Sequence, residues 1–381
     1  MLAGDFWYID RYNPEWGPQE AEVTIGQHGG FPSPFTYPVR SDPYDDMGHG
    51  THIAGIIAGD GNNARGITGV CPECKVMGVK FLNEYGYGLL DDGFLAIDYA
   101  VSHGANVLSN SWGSPQYSQA LQDVINEAEQ NGIVIIAAAG NSNNQVPMYP
   151  ADMENVISVA ATDRDDKKSS YSTYGSWLDL SAPGGDIDGS CQNGLSVFCK
   201  FNWWPDCCRY PPPLAILSTI SQGTFYDCWN EVCDINNQGD HYSGMAGTSM
   251  AAPYVSGVAG LLLSKYPTWT NHMVEDQLKR TTDDISAQNP GYQGLLGTGR
   301  LNAYNALSHV CSGNIPKGYC SSQKPLYCTG TALVNNCQIC SCPGSSTCLA
   351  DGTCSGTGGS PILKKNYLVN IDGSSPLFLK T

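Results

Sequence analysis

The chain has 381 residues, of which only 14% are charged, and its formal net charge is −17. This length accommodates one sizeable α/β domain and a smaller appendage. An acidic surface repels the phosphates of nucleic acids and anionic lipids, which excludes both as partners. Sixteen cysteines indicate an oxidising compartment in which disulfides persist, so we expect an extracellular or cell-surface protein.

The N-terminal segment, "MLAGDFWYIDRYN", is neither a signal peptide nor a membrane helix, because it lacks both a basic start and an apolar run. We therefore expect either export information elsewhere or an incomplete N-terminus. The sequence predicts no membrane span.

Helix and strand patterns alternate from about residue 49 to residue 306. In chain order, we predict a helix over 49–59, a strand over 74–82, a helix around 94–101, a strand over 106–112 and a helix from 121 to its stop at Gly132. The runs "IVIIAAAG" (133–140) and "VISVAAT" (156–162) are almost entirely apolar, which is typical of strands covered on both faces. These patterns predict a doubly wound, mostly parallel α/β sheet with helices on both faces.

Two cysteine-rich insertions, 189–213 and 223–239, interrupt this alternation and flank a predicted strand over 215–220. Their six cysteines predict surface loops held by disulfides. Cys71 and Cys74 precede a strand and not a helix, which favours a local disulfide over redox chemistry. A zinc site is the alternative use of paired cysteines, but the chain offers few suitable Cys/His pairs.

A change of composition after residue 309 marks the end of the main domain, 1–309. Residues 311–354 contain eight cysteines and few aliphatic residues, which predicts a small module held by disulfides. Residues 355–361 are a predicted linker, and the remainder to 381 has the pattern of two strands joined by a turn, the fragment of a further β domain.

Two short motifs contain side chains suited to nucleophilic catalysis. "GTSMAAP" places Ser249 at a loop-to-helix junction, and "HGTHIAG" places His49 at the start of another helix. A serine hydroxyl becomes a strong nucleophile when a histidine takes its proton, and a helix N-terminus favours the negative charge that then develops. Either motif alone also fits a simple turn or cap, whereas their combination on an α/β sheet favours chemistry.

The region from 49 to about 306 resembles the subtilases, a family of serine peptidases. "DDMGHGTHIAG" matches the histidine motif of that family and "MAGTSMAAPYVSGVAG" matches its serine motif, with "SNSWGS" (109–114) and "AAAGNSN" (137–143) in order between them. The resemblance implies that His49 is the general base, Ser249 is the nucleophile and Asn141 is an oxyanion donor, while His52 has a structural role.

The same resemblance implies a substrate cleft between two segments. Ser111, Trp112 and Gly113 would pair with the substrate backbone as an added strand. Residues 137–140, including Ala138 and Gly140, would line the pocket for the side chain before the scissile bond. Their small size predicts room for a large apolar side chain.

The catalytic aspartate of the family has no match in residues 1–48, where no Asp-(Ser/Thr)-Gly pattern occurs. Three hypotheses follow. The aspartate and its strand lie upstream of Met1, or Asp10 in "FWYID" replaces it although "RYN" follows it, or the chain is a pseudoenzyme. Loss of this carboxylate lowers turnover by about 10⁴.

Calcium is the one cofactor that the resemblance implies, and it would be structural. The loop "GDGNNARGITG" (59–69) offers Asp60 and Asn63 as oxygen ligands, although a plain Asn/Gly turn explains the same residues.

Together these observations predict a secreted, monomeric serine endopeptidase that acts on polypeptides. The alternative is a catalytically impaired subtilase that serves as a surface adhesion or binding module.

Overall fold

The computed structural model describes residues 6–10, 45, 47–83, 85–186, 215–220, 242–344 and 346–355, with only the backbone of 6–10. Its core is a six-stranded sheet in the order β2-β1-β3-β4-β5-β6. The strands are β1 Phe6–Asp10, β2 Lys75–Val79, β3 Val107–Asn110, β4 Val134–Ala138, β5 Ile157–Thr162 and β6 Leu180–Pro183. The last four pair in parallel, which confirms the predicted sheet.

Among the residues that the structure describes, six helices surround this sheet, and they are α1 His49–Ala58, α2 Leu90–Ser102, α3 Gln119–Gln130, α4 Thr248–Lys265, α5 Asn271–Arg280 and α6 Ala303–Ser308. Alternate residues of β4 face opposite sides. Val134 and Ile136 join the core around α1 and α4, whereas Ile135 and Ala137 join the core around α2 and α3. Because side chains alternate across a strand, a strand buried on both sides must be apolar throughout.

Strand β1 lies between β2 and β3 and is antiparallel to both. Phe6 pairs with Asn110 at the end of β3, whereas Asp10 pairs with Lys75 at the start of β2. A five-residue strand spans about 13 Å from its first Cα to its last. Asp10 therefore lies at the edge of the sheet opposite to the carboxyl ends of the parallel strands. Because β1 runs antiparallel to its neighbours, its backbone does not favour Asp10 in place of the catalytic aspartate, and this alternative stays a hypothesis.

A separate pair of antiparallel strands, β7 Ile216–Thr219 and β8 Tyr242–Met245, packs near α1. The first of them confirms the strand predicted over 215–220. The six cysteines of the two predicted insertions lie outside the described residues.

The cysteine-rich segment after residue 310 is held by four disulfides, which join Cys311 to Cys328, Cys320 to Cys340, Cys337 to Cys348 and Cys342 to Cys354. They use all eight cysteines of the segment 311–354, as predicted. Its elements are short, namely β9 Val310–Cys311, β10 Ile315–Pro316, β11 Leu326–Cys328, β12 Leu333–Asn335 and α7 Cys337–Cys340. A fifth disulfide joins Cys71 to Cys74, which confirms the local pairing.

The cysteine-rich segment and the chain that leads into it contact α5 and the turn before α5 through hydrogen bonds between side chains and backbone groups. The buried amide of Gln277 donates from Nε2 to the carbonyls of Ala306 (2.8 Å) and His309 (3.1 Å), and its Oε1 accepts the backbone N–H of Lys317 (2.9 Å). Trp269 Nε1 donates to the carbonyl of Asn314 at 2.7 Å. The junction is thus built from satisfied polar groups and is not a loose tether.

We expect Gln277→Leu to lower the free energy of unfolding by about 2 to 4 kcal/mol, because it keeps the side-chain volume but leaves two carbonyls and one N–H without their partner. Denaturant unfolding measures this loss. The matched control is Gln119→Leu on the exposed surface of α3, which should stay within about 0.5 kcal/mol of the wild type. Equal stability of the two variants would contradict the role of Gln277 as the anchor.

Candidate active site

The side chains predicted to act on a substrate lie at the carboxyl ends of β3 and β4 and at the N-termini of α1 and α4. Ser111 follows β3, and Asn141 follows β4. His49 is the first residue of α1, and Ser249 is the second residue of α4. Because α1 and α4 pack against each other in one core, the sheet and these two helices converge on one region.

Ser249 is 6% exposed and forms two hydrogen bonds with Ser111. The Ser249 hydroxyl lies 3.3 Å from the carbonyl of Ser111, and the Ser111 hydroxyl donates to the carbonyl of Ser249 at 2.9 Å. Pro253 explains the second bond, because proline has no N–H and leaves the carbonyl four residues earlier without its helical partner. Ser111 satisfies that carbonyl and thereby joins the end of β3 to the first turn of α4.

The side chain of Asn141 is oriented by Thr248. Its Oδ1 accepts both the backbone N–H and the hydroxyl of Thr248 at 2.9 Å, and the same hydroxyl accepts the backbone N–H of Gly140 at 3.1 Å. Because both groups of Thr248 donate a proton, the Asn141 atom that accepts them is the amide oxygen. The amide nitrogen Nδ2 is therefore the atom that faces away from Thr248.

The absent side chain of Gly247 defines a small space beside Ser249. A Cβ atom at this position would lie 3.3 Å from Asn141 Nδ2 and 3.6 Å from the backbone nitrogen of Ser249. Two nitrogen atoms that carry hydrogens therefore lie within 3.6 Å of one point that glycine leaves without a side chain. Such a pair can hold an oxyanion that forms next to the serine.

Buried His49 and His52 are both neutral at pH 7. Burial lowers the pKa of His49 to about 4, against the opposing negative charge of Asp45. Burial likewise lowers the pKa of His52 to about 3, although hydrogen bonds from Nε2 to the carbonyls of Ser243 (3.0 Å) and Ile216 (3.1 Å) favour the charged form. The neutral form of His49 can accept a proton.

The Nδ1 atom of His49 is buried and has no hydrogen-bond partner among the residues that the structure describes. An unpaired buried polar atom is costly, so this nitrogen marks a place where a hydrogen-bond acceptor fits.

Asp45 is a residue whose role the sequence analysis did not identify. Its carboxylate accepts the backbone N–H groups of Met47 (3.1 Å), Gly48 (2.7 Å) and Thr51 (2.7 Å), together with the Thr51 hydroxyl (2.7 Å). It thus caps the first turn of α1, where it also complements the positive end of the helix dipole. The sequence signal for the role of Asp45 was an acidic residue four positions before His49. The sequence analysis also did not identify the role of Thr248, because a threonine before the serine fits any turn.

The predicted substrate-binding residues flank this site. Trp112 is buried, donates from Nε1 to Asn110 Oδ1 at 3.1 Å and packs edge-to-face on Phe81. Gly113 follows it, while Ala138 ends β4 and Gly140 turns the chain with a φ of 102°. The two segments follow the neighbouring parallel strands β3 and β4, so they lie at the same edge of the sheet.

The two predicted calcium ligands, Asp60 and Asn63, lie in the loop that follows α1. Asp60 is exposed, and the side-chain oxygen of Asn63 already accepts the backbone N–H of Arg65 at 2.9 Å. Across the described ranges, three metal-binding groups of the carboxylate, imidazole or thiol type come together only at Cys337, Cys342 and Cys354, which are in disulfides. Calcium takes six to eight oxygens, of which the side chains of Asp60 and Asn63 could supply only some, so a structural calcium at this loop stays a prediction.

Comparison with known proteins agrees with this geometry. The family model described as the subtilase family, peptidase S8, matches residues 35–299. Thermitase from Thermoactinomyces vulgaris is 36% identical over 71% of this chain and 78% of its own length. A thermophilic serine proteinase from Bacillus sp. (strain AK1) is 35% identical over 70% of this chain, which spans 54% of that relative.

A solved structure described as proteases from Pseudoalteromonas arctica PAMC 21717 is also similar to this chain. It has a TM-score of 0.54 and 31% sequence identity, and the match covers 68% of this chain and 70% of that one. No helix within the described part of the chain is long and apolar enough to cross a membrane.

We expect the stability of the protein to fall as the pH drops below about 6.5. Both histidines have a lower pKa in the folded state than the 6.5 of an exposed imidazole, so the unfolded chain binds more protons in this window. Each histidine should contribute about 2 kcal/mol of loss between pH 6.5 and 5. Denaturant unfolding at several pH values measures the slope.

The variant His52→Gln should flatten this dependence, since it removes one of the two titrations and retains an N–H donor. The control is His103→Gln, because His103 is exposed, and it should keep the wild-type slope. An unchanged slope in His52→Gln would show that His52 is not held neutral.

Proposed function

Because the chain belongs to the subtilase family of serine peptidases, we propose that it is a secreted endopeptidase that hydrolyses peptide bonds through an acyl-enzyme intermediate on Ser249. The observation that carries the proposal is the pair of N–H donors, Asn141 Nδ2 and Ser249 N, that lie within 3.6 Å of one point beside the serine. A hydroxyl next to two convergent donors suits acyl transfer.

In this mechanism, Ser249 Oγ attacks the carbonyl carbon of the scissile bond while its proton passes to His49. The carbonyl oxygen becomes an oxyanion that accepts hydrogen bonds from Asn141 and the Ser249 backbone. His49 then donates the proton to the leaving amine nitrogen, and a water that loses its proton to His49 releases the acyl group. Burial keeps the imidazole of His49 neutral at pH 7, which is the form that can accept a proton.

The buried Nδ1 of His49 is where a carboxylate would complete the catalytic group. It would select the tautomer that leaves Nε2 free to accept a proton, and it would stabilise the imidazolium. Among the described residues no acceptor occupies this position. Without one, we expect turnover about 10⁴ lower than with a full triad, while the oxyanion donors retain some catalysis.

The five disulfides of the described residues support the proposal of an extracellular or surface location. Polypeptides are the proposed substrates.

The alternative function is a binding module on an impaired subtilase fold, and the unpartnered Nδ1 is the observation that favours it. The two functions differ in the reactivity of Ser249, which only the enzyme needs.

We expect a fluorophosphonate probe to label the wild type at Ser249, identified by peptide mass spectrometry, and to leave Ser249→Ala unlabelled. The probe needs an activated serine and an oxyanion site, and it does not need deacylation. Thermal unfolding of both proteins controls for folding. A folded wild type that the probe does not label would support the binding module and overturn the peptidase proposal.

We expect Asn141→Leu to fold normally and to turn over a peptide substrate about 10² to 10³ times more slowly, because one oxyanion donor is removed. The KM should change little, since this donor acts on the transition state. Peptide hydrolysis measured as kcat and KM tests this. The control Asn144→Leu changes an amide in the same loop that lies away from Thr248, and it should keep the wild-type kcat; equal kcat in both variants would remove the oxyanion role.

A further inference from the structure

We propose that Lys168 is a positioning residue for the oxyanion donor Asn141, because its ammonium group holds the loop 140–144, which contains Asn141, against the segment 169–174. This inference rests on the proposed function and adds a residue to it. The loop 140–144 follows strand β4, whereas Lys168 lies in the connection after strand β5. The two segments are therefore separate in the chain, and their contact is a feature of the fold.

The ammonium group of Lys168 has an oxygen acceptor for each of its three N–H bonds. Nζ donates to Asn143 Oδ1 at 2.9 Å, to the carbonyl of Ser169 at 2.8 Å and to the carbonyl of Ser172 at 3.1 Å. The first acceptor belongs to the loop 140–144, and the other two belong to the segment 169–174. Because the donor is charged, these bonds are stronger than bonds between neutral groups, and together they join the two segments.

Two tyrosine rings complete the surroundings of this ammonium group. Lys168 Nζ lies 5.3 Å from the ring centre of Tyr174 and 5.3 Å from that of Tyr292, and the two rings pack edge-to-face with their centres 5.0 Å apart. The face of an aromatic ring attracts a cation. Burial lowers the pKa of Lys168 to about 8, against the opposing charge of Asp186, so the amine is mainly protonated at pH 7.

The backbone of Lys168 is anchored independently of its side chain. Its N–H donates to Asn289 Oδ1 at 2.7 Å, and the amide nitrogen of Asn289 donates to the carbonyls of Asp166 (2.8 Å) and Ile285 (2.9 Å). Lys168 also forms an isolated antiparallel bridge with Thr162, the last residue of β5. Because its backbone is fixed in this way, the side chain can restrain the loop 140–144.

Backbone hydrogen bonds extend this restraint to Asn141. The carbonyl of Gly140 accepts the N–H of Thr173 at 2.9 Å, and the N–H of Asn143 donates to the carbonyl of Tyr171 at 2.8 Å. These two bonds lie on either side of Asn141 in the chain and pair its loop with the segment 169–174. The ammonium group adds a charge-assisted bond to the same pairing, so its loss should loosen the backbone that places the oxyanion donor.

The test measures the second-order rate at which a fluorophosphonate probe labels Ser249 in the full chain at pH 7. Lys168→Met keeps an unbranched side chain of similar length but removes the charge and the three donors. It should lower the labelling rate at least about fivefold, because a displaced donor stabilises the developing oxyanion less well. The control Lys167→Met removes a charge from the exposed neighbouring lysine and should keep the wild-type rate.

A double-mutant cycle with Asn141→Leu separates positioning from a general structural role. If Lys168 acts through the amide of Asn141, Lys168→Met has nothing left to displace once that amide is removed. The labelling rate of the double variant should then lie within about threefold of the rate of Asn141→Leu. A fall by the same factor in both backgrounds would overturn the inference, as would a wild-type rate in Lys168→Met alone.

Two substitutions of Asn143 keep the inference testable if Lys168→Met does not fold, which thermal unfolding reports. Asn143→Gly removes the acceptor in the loop but adopts the φ of 47° without strain, and it should lower the labelling rate at least about threefold. Asn143→Asp keeps an acceptor oxygen and should stay within about twofold of the wild type. Equal rates in the two variants would contradict the bond from Lys168 to this loop.

Failure of this inference is distinguishable from failure of the proposed function. Labelling of the wild type at Ser249 together with no effect of Lys168→Met would reject the role of Lys168 alone. The absence of labelling in a folded wild type would reject the peptidase proposal and this inference with it.

Discussion

The burial of helix α4 is the constraint on which the rest of the molecule depends. It is buried along most of its 18 residues, and its interior positions meet α1, the sheet and α5 at once. Close approach is possible because of small residues. A Cβ atom at Gly257 would lie 2.6 Å from Val70 Cβ, and the hydroxyl of Ser256 donates to Ser109 of β3 at 2.9 Å. Since the helix cannot shift, its first turn presents Ser249 at one defined point.

The site is rigid because side-chain hydrogen bonds join this first turn to the ends of two strands. Ser111 binds the carbonyl that Pro253 leaves free, and Thr248 orients Asn141. Each of these bonds satisfies a buried group that would otherwise be costly, so the same contacts contribute to stability and to the placement of the donors. Catalysis by preorganised dipoles requires such fixed donors.

The ionisable side chains around the site differ in charge and in their hydrogen bonds. The buried histidines are neutral, and Asp45 is engaged in capping α1. Within the described part of the chain, Nδ1 of His49 is one of the buried side-chain atoms without a hydrogen-bond partner, so the chemistry of the site depends on the group that reaches it. The cysteine-rich segment is attached by other groups, because the side chains of Gln277 and Trp269 form hydrogen bonds with the backbone of Lys317 and Asn314.

The sequence by itself determined the alternation of helices and strands, the parallel sheet and the candidate pair His49 and Ser249, because these depend on local periodicity and on short contiguous motifs. The pairing of Cys71 with Cys74 is local for the same reason. Only the tertiary structure decided the antiparallel direction of β1 that moves Asp10 to the far edge, the capping by Asp45 and the bond from Lys168 to the loop that contains Asn141. These features arise from contacts between segments that are remote in the chain, and packing in three dimensions selects such contacts without leaving a periodic pattern in the sequence.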